Sequence, residues 1–345
     1  MIEPKAELLI NYQTIQENVS YLKSLLSPLT SFMAIIKANA YGHSLEKFVI
    51  ELDALVDGYG VVRLEEAISI RKISSKPVLL MQGLYSEEGF QIAANNNFFL
   101  TVHHSSQLEL AKKFNSSLSL WLKFNTGMNR LGFDISDQTG LNYFNLEKNC
   151  LMSHLACADI PQEQMNQQQF ALFNELSRCF DKTKKSILNS AGILHFPEYG
   201  FDWVRCGIGM YGGLPNKYLR TAMTLRSKII AIKTLKRGQR IGYGGRYTAT
   251  ENKTIAVIYC GYADGYPQTA IDGTRVLINS KECSILGRVS MDLLTVDITD
   301  RSGIKEGDWA ELWSSENSIS SISSYNNLIS YELMTKVTSR VVKKN

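Results

Sequence analysis

The sequence predicts an α/β protein in which an N-terminal (β/α)8 TIM-like barrel is followed by a mostly β C-terminal domain. Eight apolar runs alternate with helical stretches, the pattern then changes to strands separated by glycines, and 345 residues exceed one ordinary core. We place the barrel at residues 1–220 and the second domain at residues 221–345. An open, doubly wound sheet is the alternative for the first domain.

The barrel strands are predicted from short apolar and β-branched runs. The segments between them have helical periodicity, as where Ile15, Val19, Leu22 and Leu26 fall on one helix face. The eight runs are Phe32–Ile36, Gly58–Val62, Val78–Gln82, Phe98–Val102, Leu118–Phe124, Leu151–Leu155, Ser186–Asn189 and Trp203–Ile208.

The second domain is predicted from strand-like runs separated by glycines. We expect the Ser-rich residues 314–324 to form a loop, and the Lys343-Lys344 end to be solvated chain. The strand-like runs are Thr224–Lys233, Thr254–Tyr259, Arg275–Ile278, Leu293–Ile298 and Trp309–Trp313.

The composition is that of an ordinary globular protein. A net charge of +4, with 44% hydrophobic and 20% charged residues, indicates neither a nucleic-acid nor a membrane partner. The six cysteines are widely spaced without a C-x-x-C pair, which favours buried thiols in a reducing compartment. The start of the chain has no signal-peptide pattern, so we expect a cytoplasmic protein, and we expect no metal site.

Lys37 is the first candidate functional residue, because it ends the apolar strand predicted at Phe32–Ile36. The pKa of a lysine in a dry pocket is lowered, and its amine can then form an imine with an aldehyde cofactor. A lysine at a strand end can equally extend its amine to solvent. Position alone leaves both interpretations open.

The segment I-I-K-A-N-A-Y-G-H at residues 35–43 resembles the cofactor-lysine signature of the pyridoxal-phosphate-dependent alanine racemases. The resemblance continues in order along nearly the whole chain, and it implies the same barrel and β domain that the strand pattern predicts. The further blocks are Lys123–Phe133, Ser153–Asp159, Asn189–Ala191, Val204–Gly212, Gly261–Pro267, Gly287–Asp292 and Tyr331–Leu333.

The resemblance implies an isomerase that interconverts L-alanine and D-alanine and supplies D-alanine for peptidoglycan. Racemisation requires a proton to leave one face of the α-carbon and another to reach the opposite face, so two bases are wanted. By resemblance, Lys37 is the base for D-alanine and Tyr262 the base for L-alanine. Tyr262 is expected to come from the partner subunit of a homodimer.

The same resemblance implies the substrate and cofactor contacts. The fork of Arg130 is expected to clamp the substrate carboxylate, with the partner's Met291 backbone, and Lys123 to be a carbamylated lysine that orients Arg130. Arg205 is expected at the pyridine nitrogen, where a guanidinium is a poor proton donor and so suppresses transamination. The implied cofactor-binding residues are Lys37, Tyr41, His154, Asn189, Ser190, Arg205, Gly207, Ile208 and Tyr331.

Three other interpretations are weighed against this one. A basic-amino-acid decarboxylase on the same scaffold should carry an acid in place of Arg205, and a non-catalytic cofactor carrier would not need Tyr262 or Met291. G-x-G-x-x-G at residues 207–212 could mark a dinucleotide site, but neither a clear helix nor a suitably placed acid follows.

Whether the enzyme also acts on serine stays open. Departures from the family pattern are Asn125, Ser290 and Gln268.

Overall fold

The computed structural model describes residues 5–114, 118–136 and 145–344. The chain divides into two compact units: the barrel unit, Val19–Met210, and the second unit, Met1–Asn18 with Tyr211–Asn345. None of the helices in the described ranges is both long enough and apolar enough to span a bilayer.

The described part of the barrel unit contains eight parallel strands in one sheet. Hydrogen bonding follows the order β8-β7-β6-β5-β4-β3-β2-β9. The two end strands also approach each other, because the backbone N–H of Arg205, on β9, donates at 3.1 Å to the carbonyl of Leu188, two residues after β8. The predicted TIM-like barrel is thereby confirmed. The strands are β2 (Ser31–Ile35), β3 (Gly58–Val61), β4 (Val78–Leu80), β5 (Phe99–Val102), β6 (Ser119–Lys123), β7 (Cys150–Met152), β8 (Lys184–Ser186) and β9 (Trp203–Cys206).

In the described ranges, helices follow β2, β3, β4, β5, β7 and β8, as parallel crossovers require. Helix α1 begins in the second unit and ends in the barrel unit; Ile15, Val19 and Leu22 are buried on it as predicted, whereas the helix stops before Leu26. The helices are α1 (Tyr12–Ser24), α2 (Lys37–Tyr41), α3 (Leu45–Leu52), α4 (Leu64–Arg71), α5 (Glu87–Asn95), α6 (Ser105–Lys113), α7 (Gln164–Cys179) and α8 (Ser190–His195).

The seventh strand lies earlier than the run predicted at Ser186–Asn189, because it ends at Ser186. Asn189 instead caps α8, and its side-chain oxygen accepts the Gly192 N–H at 2.9 Å. A capping residue needs backbone angles outside the helix and a free side chain, so the chain leaves the ladder before this point.

The second unit is built on an antiparallel sheet that closes on itself. Its strands are hydrogen-bonded in the order β13-β16-β15-β14-β17-β10. The 13-residue strand β10 also pairs with β13, which closes the sheet, and β1 and β18 continue the sheet beyond β10. Its elements are β1 (Glu7–Ile10), β10 (Met223–Leu235), β11 (Arg240–Ile241), β12 (Tyr247–Thr248), β13 (Lys253–Ile258), β14 (Arg275–Ile278), β15 (Lys281–Ile285), β16 (Leu294–Asp297), β17 (Trp309–Trp313), α9 (Ile319–Tyr325), α10 (Ser330–Lys336) and β18 (Val342–Lys344).

The two ends of the chain meet in this sheet. Strand β1 is antiparallel to β10 and parallel to β18, so the first strand of the chain belongs to the second unit. The sequence pattern around residues 7–10 does not reveal this long-range pairing. The division at residue 220 stays a prediction.

Two expectations for the second unit need correction. The Ser-rich residues 314–324 do not form only a loop, because Ser318 accepts the Ser321 N–H at 3.2 Å and caps α9, on which Ile319 and Ile322 are buried. The C-terminal lysines are exposed, as a solvated end implies, but they are not irregular chain, because they lie in β18, where the Lys344 amine forms an ion pair with Glu7.

Candidate active site

Lys37 lies two residues after the end of β2 and is partly buried. Burial lowers the pKa of its amine, the nearby Arg130 cation lowers it further, and the Glu66 carboxylate opposes them. A larger fraction of neutral amine is therefore present near neutral pH than for an exposed lysine.

Helix α2, which starts at Lys37, is a left-handed turn. Ala38, Asn39, Ala40 and Tyr41 have φ angles of 53° to 54°, although none of them is glycine. The left-handed conformation costs about 1–2 kcal/mol per residue, and such strain persists only where the surroundings enforce it. The Asn39 side chain contributes by accepting the Leu45 N–H at 2.8 Å.

The turn brings Tyr41 to the chain after β9. A Cβ at Gly207 would lie 2.7 Å from the Tyr41 hydroxyl oxygen, so only glycine allows this approach. Ser190 Oγ accepts the N–H groups of Gly207 at 2.8 Å and Gly209 at 3.2 Å. Tyr41, Ser190, Gly207 and the buried Ile208 thus surround one small, polar region after β8 and β9.

Arg205, on β9, is buried with 2% of its surface exposed. Its Nη atoms donate to the Ser186 hydroxyl and the Ser153 carbonyl, whereas its Nε is buried and has no hydrogen-bond partner within the described ranges. Burial lowers its pKa to about 10, so the guanidinium stays protonated at neutral pH. An unmet donor on a buried cation is costly unless a ligand completes it.

His154 follows β7, and its Nδ1 lies 3.3 Å from Arg205 Nη2. Because arginine can only donate, Nδ1 is the acceptor and the proton of the neutral ring is on Nε2. Burial, followed by the cations of Arg205, Lys123, Arg130 and Lys37, lowers the His154 pKa well below its usual range. His154 is therefore a neutral imidazole of fixed tautomer.

Lys123 ends β6 with 8% of its surface exposed. Burial lowers its pKa to about 8, and the cations of Arg205, Arg130 and Lys37 add to this effect. This end of the barrel therefore holds cations that repel one another, namely Lys123, Lys37, Arg130 and Arg205. Their combined charge attracts anions.

Arg130 is exposed at the tip of a tight loop after β6. The loop is closed at its base because Asn125 N–H donates to Phe133 O and Phe133 N–H donates to Lys123 O, both at 2.9 Å. The Asn125 side chain accepts the N–H groups of Gly127 at 3.1 Å and Asn129 at 2.9 Å. Asn125, which departs from the family pattern, thus shapes the loop that carries Arg130.

Tyr262 and Met291 are brought together on the second unit. The Tyr262 N–H donates to Ser290 O and the Ala263 N–H to Met291 O, both at 3.0 Å. The exposed fractions are 40% for Tyr262 and 52% for Met291. Tyr331 lies on α10 of the same unit and is also exposed.

The sequence reasoning missed Glu66 and Ser186. Glu66 accepts the Arg63 N–H at 3.2 Å at the start of α4, and its other oxygen lies 3.4 Å from the Asn39 N–H in the left-handed turn. A glutamate in the first helical turn is a recognisable capping signal. Its contact with Asn39, and that of Ser186 with Arg205, join distant positions and leave no local signal.

The chain matches the family models of both alanine racemase domains, the N-terminal domain at residues 10–215 and the C-terminal domain at residues 222–345. The alanine racemase of Shewanella amazonensis is 37% identical over 361 residues, covering 98% of each chain. A solved alanine racemase from Acinetobacter baumannii has a TM-score of 0.94 at 32% identity, covering 99% of both chains. One from Bartonella henselae, with covalently bound pyridoxal phosphate, has a TM-score of 0.88 at 26% identity and covers 99% of both chains.

The lowered pKa of Lys123 predicts a stability effect. The unfolded lysine keeps its proton up to a pKa near 10.5 and the folded one only up to about 8, so folding is penalised fully below pH 8 and progressively less up to 10.5. In buffer free of carbon dioxide, Lys123→Met should raise the free energy of unfolding at pH 7 by about 1–3 kcal/mol. The gain should shrink above pH 8, as measured by urea titration with circular dichroism.

The matched control is Lys113→Met. Lys113 is an exposed lysine of the barrel unit that pairs with Glu87 at the surface. Its replacement should change the free energy of unfolding by no more than about 0.5 kcal/mol, both at pH 7 and above pH 8. A Lys123→Met protein that is less stable than the parent at pH 7 would contradict the electrostatic argument.

Proposed function

This chain belongs to the alanine racemase family, as a pyridoxal-phosphate-dependent isomerase of L-alanine and D-alanine, and from this premise we propose that Lys37 and Tyr262 are its two acid–base groups. The observation that carries the cofactor site of this proposal is the buried Arg205 Nε, a donor that has no partner in the described structure and lies among residues suited to the cofactor.

Pyridoxal phosphate fits the residues of the barrel unit. The Arg205 Nε is a donor suited to a pyridine nitrogen, and the crowded approach of Tyr41 to Gly207, with Ser190 beside it, is suited to a phosphate. We assign the cofactor contacts also to His154, Asn189, Ile208 and Tyr331. When bound, the cofactor supplies an aldehyde for the Lys37 amine and delocalises the charge left when the α-proton departs.

Lys37 and Tyr262 are assigned to opposite faces of the substrate α-carbon. Lys37 has the lowered pKa that a lysine base needs, so its amine can take the proton of D-alanine. Tyr262 of the partner subunit takes the proton of L-alanine.

Arg205 is assigned to reaction specificity. Its pKa of about 10 means that it donates a hydrogen bond at neutral pH without giving up its proton. An aspartate or glutamate at this place would instead keep the pyridine nitrogen protonated and favour transamination or decarboxylation. Arg205 therefore supports racemisation over the decarboxylase interpretation.

Arg130 and Met291 are assigned to the substrate carboxylate, and Lys123 to the orientation of Arg130. A Lys123 ammonium would repel Arg130, but its pKa of about 8 leaves neutral amine that can react with carbon dioxide. In that reaction the amine nitrogen bonds to the carbon of CO2, one proton leaves, and a carbamate anion results. The carbamate reverses the local repulsion and can pair with arginine.

We further propose a cytoplasmic homodimer that provides D-alanine for peptidoglycan. The exposed Tyr262, Met291 and Tyr331 are of the residue types enriched at subunit interfaces. A partner that covers them would also bring Tyr262 to the site that Lys37 begins. We propose the domain division at residue 220 on the same basis, because the two family models meet between residues 215 and 222.

The two-base assignment predicts a defect on one face of the substrate in Tyr262→Phe. In deuterated water, the parent enzyme should place deuterium at the α-carbon of either alanine enantiomer and abolish optical rotation. Tyr262→Phe should lower exchange from L-alanine at least about 100-fold, because a positioned acid–base group contributes 10²–10⁴ in rate. Its cofactor absorbance should be retained.

Tyr243→Phe is the control, because Tyr243 is an exposed tyrosine of the same unit. It should exchange both enantiomers at the parent rate. Normal exchange of L-alanine by Tyr262→Phe would remove Tyr262 from the mechanism, and release of carbon dioxide from a basic amino acid would favour a decarboxylase.

The shared-site proposal predicts complementation between inactive subunits. Homodimers of Lys37→Ala and of Tyr262→Phe should each be inactive, but random exchange of subunits should restore about a quarter of the parent activity, because half the dimers then hold one intact site. Mixing Lys37→Ala with Arg130→Gln, which alter the same barrel, should restore none. If activity does not return in the first mixture, the site is not shared.

The carbamate proposal predicts a carbon dioxide adduct on Lys123. With ¹³C-labelled bicarbonate, the protein should show a slowly exchanging carbamate resonance by ¹³C NMR, because burial shields the adduct from water. The resonance should be absent in Lys123→Ala and present in Lys113→Ala. A parent protein without this resonance would leave Lys123 as an amine.

A further inference from the structure

We propose that Arg340 is a positioning residue for the reaction, because its guanidinium ties Asp264, in the Tyr262 turn, to Asp292, which follows Met291. The inference rests on the proposed function of Tyr262 and Met291. Nothing in the local sequence pattern around Arg340 assigns it a partner, and its role follows only from the folded second unit.

The turn that carries Tyr262 is capped by Asp264. The Asp264 carboxylate accepts the Gly261 N–H at 2.9 Å, and only 7% of Asp264 is exposed. The turn ends at Gly265, whose φ of +106° is a conformation that favours glycine. Displacing the Asp264 carboxylate would therefore disturb the backbone on both sides of Tyr262.

Backbone contacts hold this turn against the segment with Met291. A Cβ at Gly261 would lie 2.3 Å from the carbonyl oxygens of Ser290 and Met291, so the two chains approach as closely as glycine allows. The N–H groups of Tyr262 and Ala263 donate to these same oxygens. These contacts fix the backbone of the two segments. They also bring two carboxylates close together, that of Asp264 in the Tyr262 turn and that of Asp292 after Met291.

The chain at residues 336–340 closes over the turn from the other side. Thr338 donates its N–H to Asp264 O at 3.1 Å and its hydroxyl to Ala263 O at 2.8 Å. A Cβ at Gly265 would lie 2.4 Å from the Lys336 carbonyl oxygen. Arg340, two residues after Thr338, is thus delivered to the turn by contacts that do not depend on its own charge.

Arg340 then bridges the two carboxylates. Its Nη2 lies 2.6 Å from Asp292 Oδ1, and its Nε lies 3.6 Å from Asp264 Oδ1. A planar guanidinium can face two acceptors at once, which a lysine ammonium does less well. Without the cation, Asp264 and Asp292 would repel each other, and a displaced Asp264 carboxylate would disturb the capped turn that places the Tyr262 phenol.

The exposure of Arg340 separates this role from general stability. Its side chain is 47% exposed, and ion pairs at such positions contribute little to the free energy of unfolding. Removal of Arg340 should therefore damage the placement of Tyr262 much more than it damages the fold.

The test uses the cofactor-loaded enzyme and α-deuterated alanine of each hand. In Arg340→Gln, kcat/KM should fall by about 10-fold to 100-fold in both directions, as a small misplacement of an acid–base group predicts. The deuterium isotope effect should rise for L-alanine, because proton removal by Tyr262 becomes rate-limiting, and should fall for D-alanine. Arg340→Lys should recover part of the loss.

Arg275→Gln is the matched control, because Arg275 is an exposed arginine of the same unit that pairs with Glu282 at 2.7 Å. It should keep the parent rates and isotope effects. Parent isotope effects in Arg340→Gln, or a rate loss with both isotope effects unchanged, would overturn the inference. Such an outcome would concern Arg340 alone if Tyr262→Phe abolishes exchange from L-alanine in the same experiments. The proposed function would then stand.

Discussion

The buried guanidinium of Arg205 is the constraint on which the site in the barrel unit depends. It donates to the Ser186 hydroxyl and the Ser153 carbonyl and fixes the tautomer of His154. Burial lowers the pKa of both His154 and Lys123, and the charge of Arg205 adds to this effect. Strand β9 brings it to polar groups at the end of β8 and just after β7. Its remaining donor and the surrounding cations suit an anionic, hydrogen-bonding ligand, and a ligand that binds only the folded protein would add to its stability.

The same region stores backbone strain. The left-handed turn after Lys37 is flanked by β2, which pairs with β3 on one side and β9 on the other, and it ends against Gly207. A central strand of a parallel sheet is rigid enough to impose such a conformation on non-glycine residues. The strain then serves a geometric purpose, because it turns Lys37 and Tyr41, which are four positions apart in the sequence, toward different parts of one site.

The sequence predicted the features that depend on local pattern. Buried parallel strands need continuous apolar runs, and for this reason each predicted barrel run corresponds to an observed strand, with the run at Ser186–Asn189 displaced by the cap at Asn189. Helix α9 was missed because its signal is a serine cap followed by spaced isoleucines. The contacts of Glu66, Ser186 and Arg340 join positions far apart in the chain, so no local pattern could predict them.

The two ends of the chain connect these long-range contacts to function. Glu7 on β1 pairs with Arg226 on β10 and with Lys344 on β18, and these hydrogen bonds lower its pKa against the opposing effect of burial. Strand β18 begins two residues after Arg340, so its pairing with β1 anchors the segment that reaches Asp264. An N-terminal strand that lies outside the barrel is thereby linked through β18 and Arg340 to Tyr262. The sheet of the unit that carries Tyr262 therefore includes β1 and β18, and the pairing of these two strands supports the segment that holds Arg340.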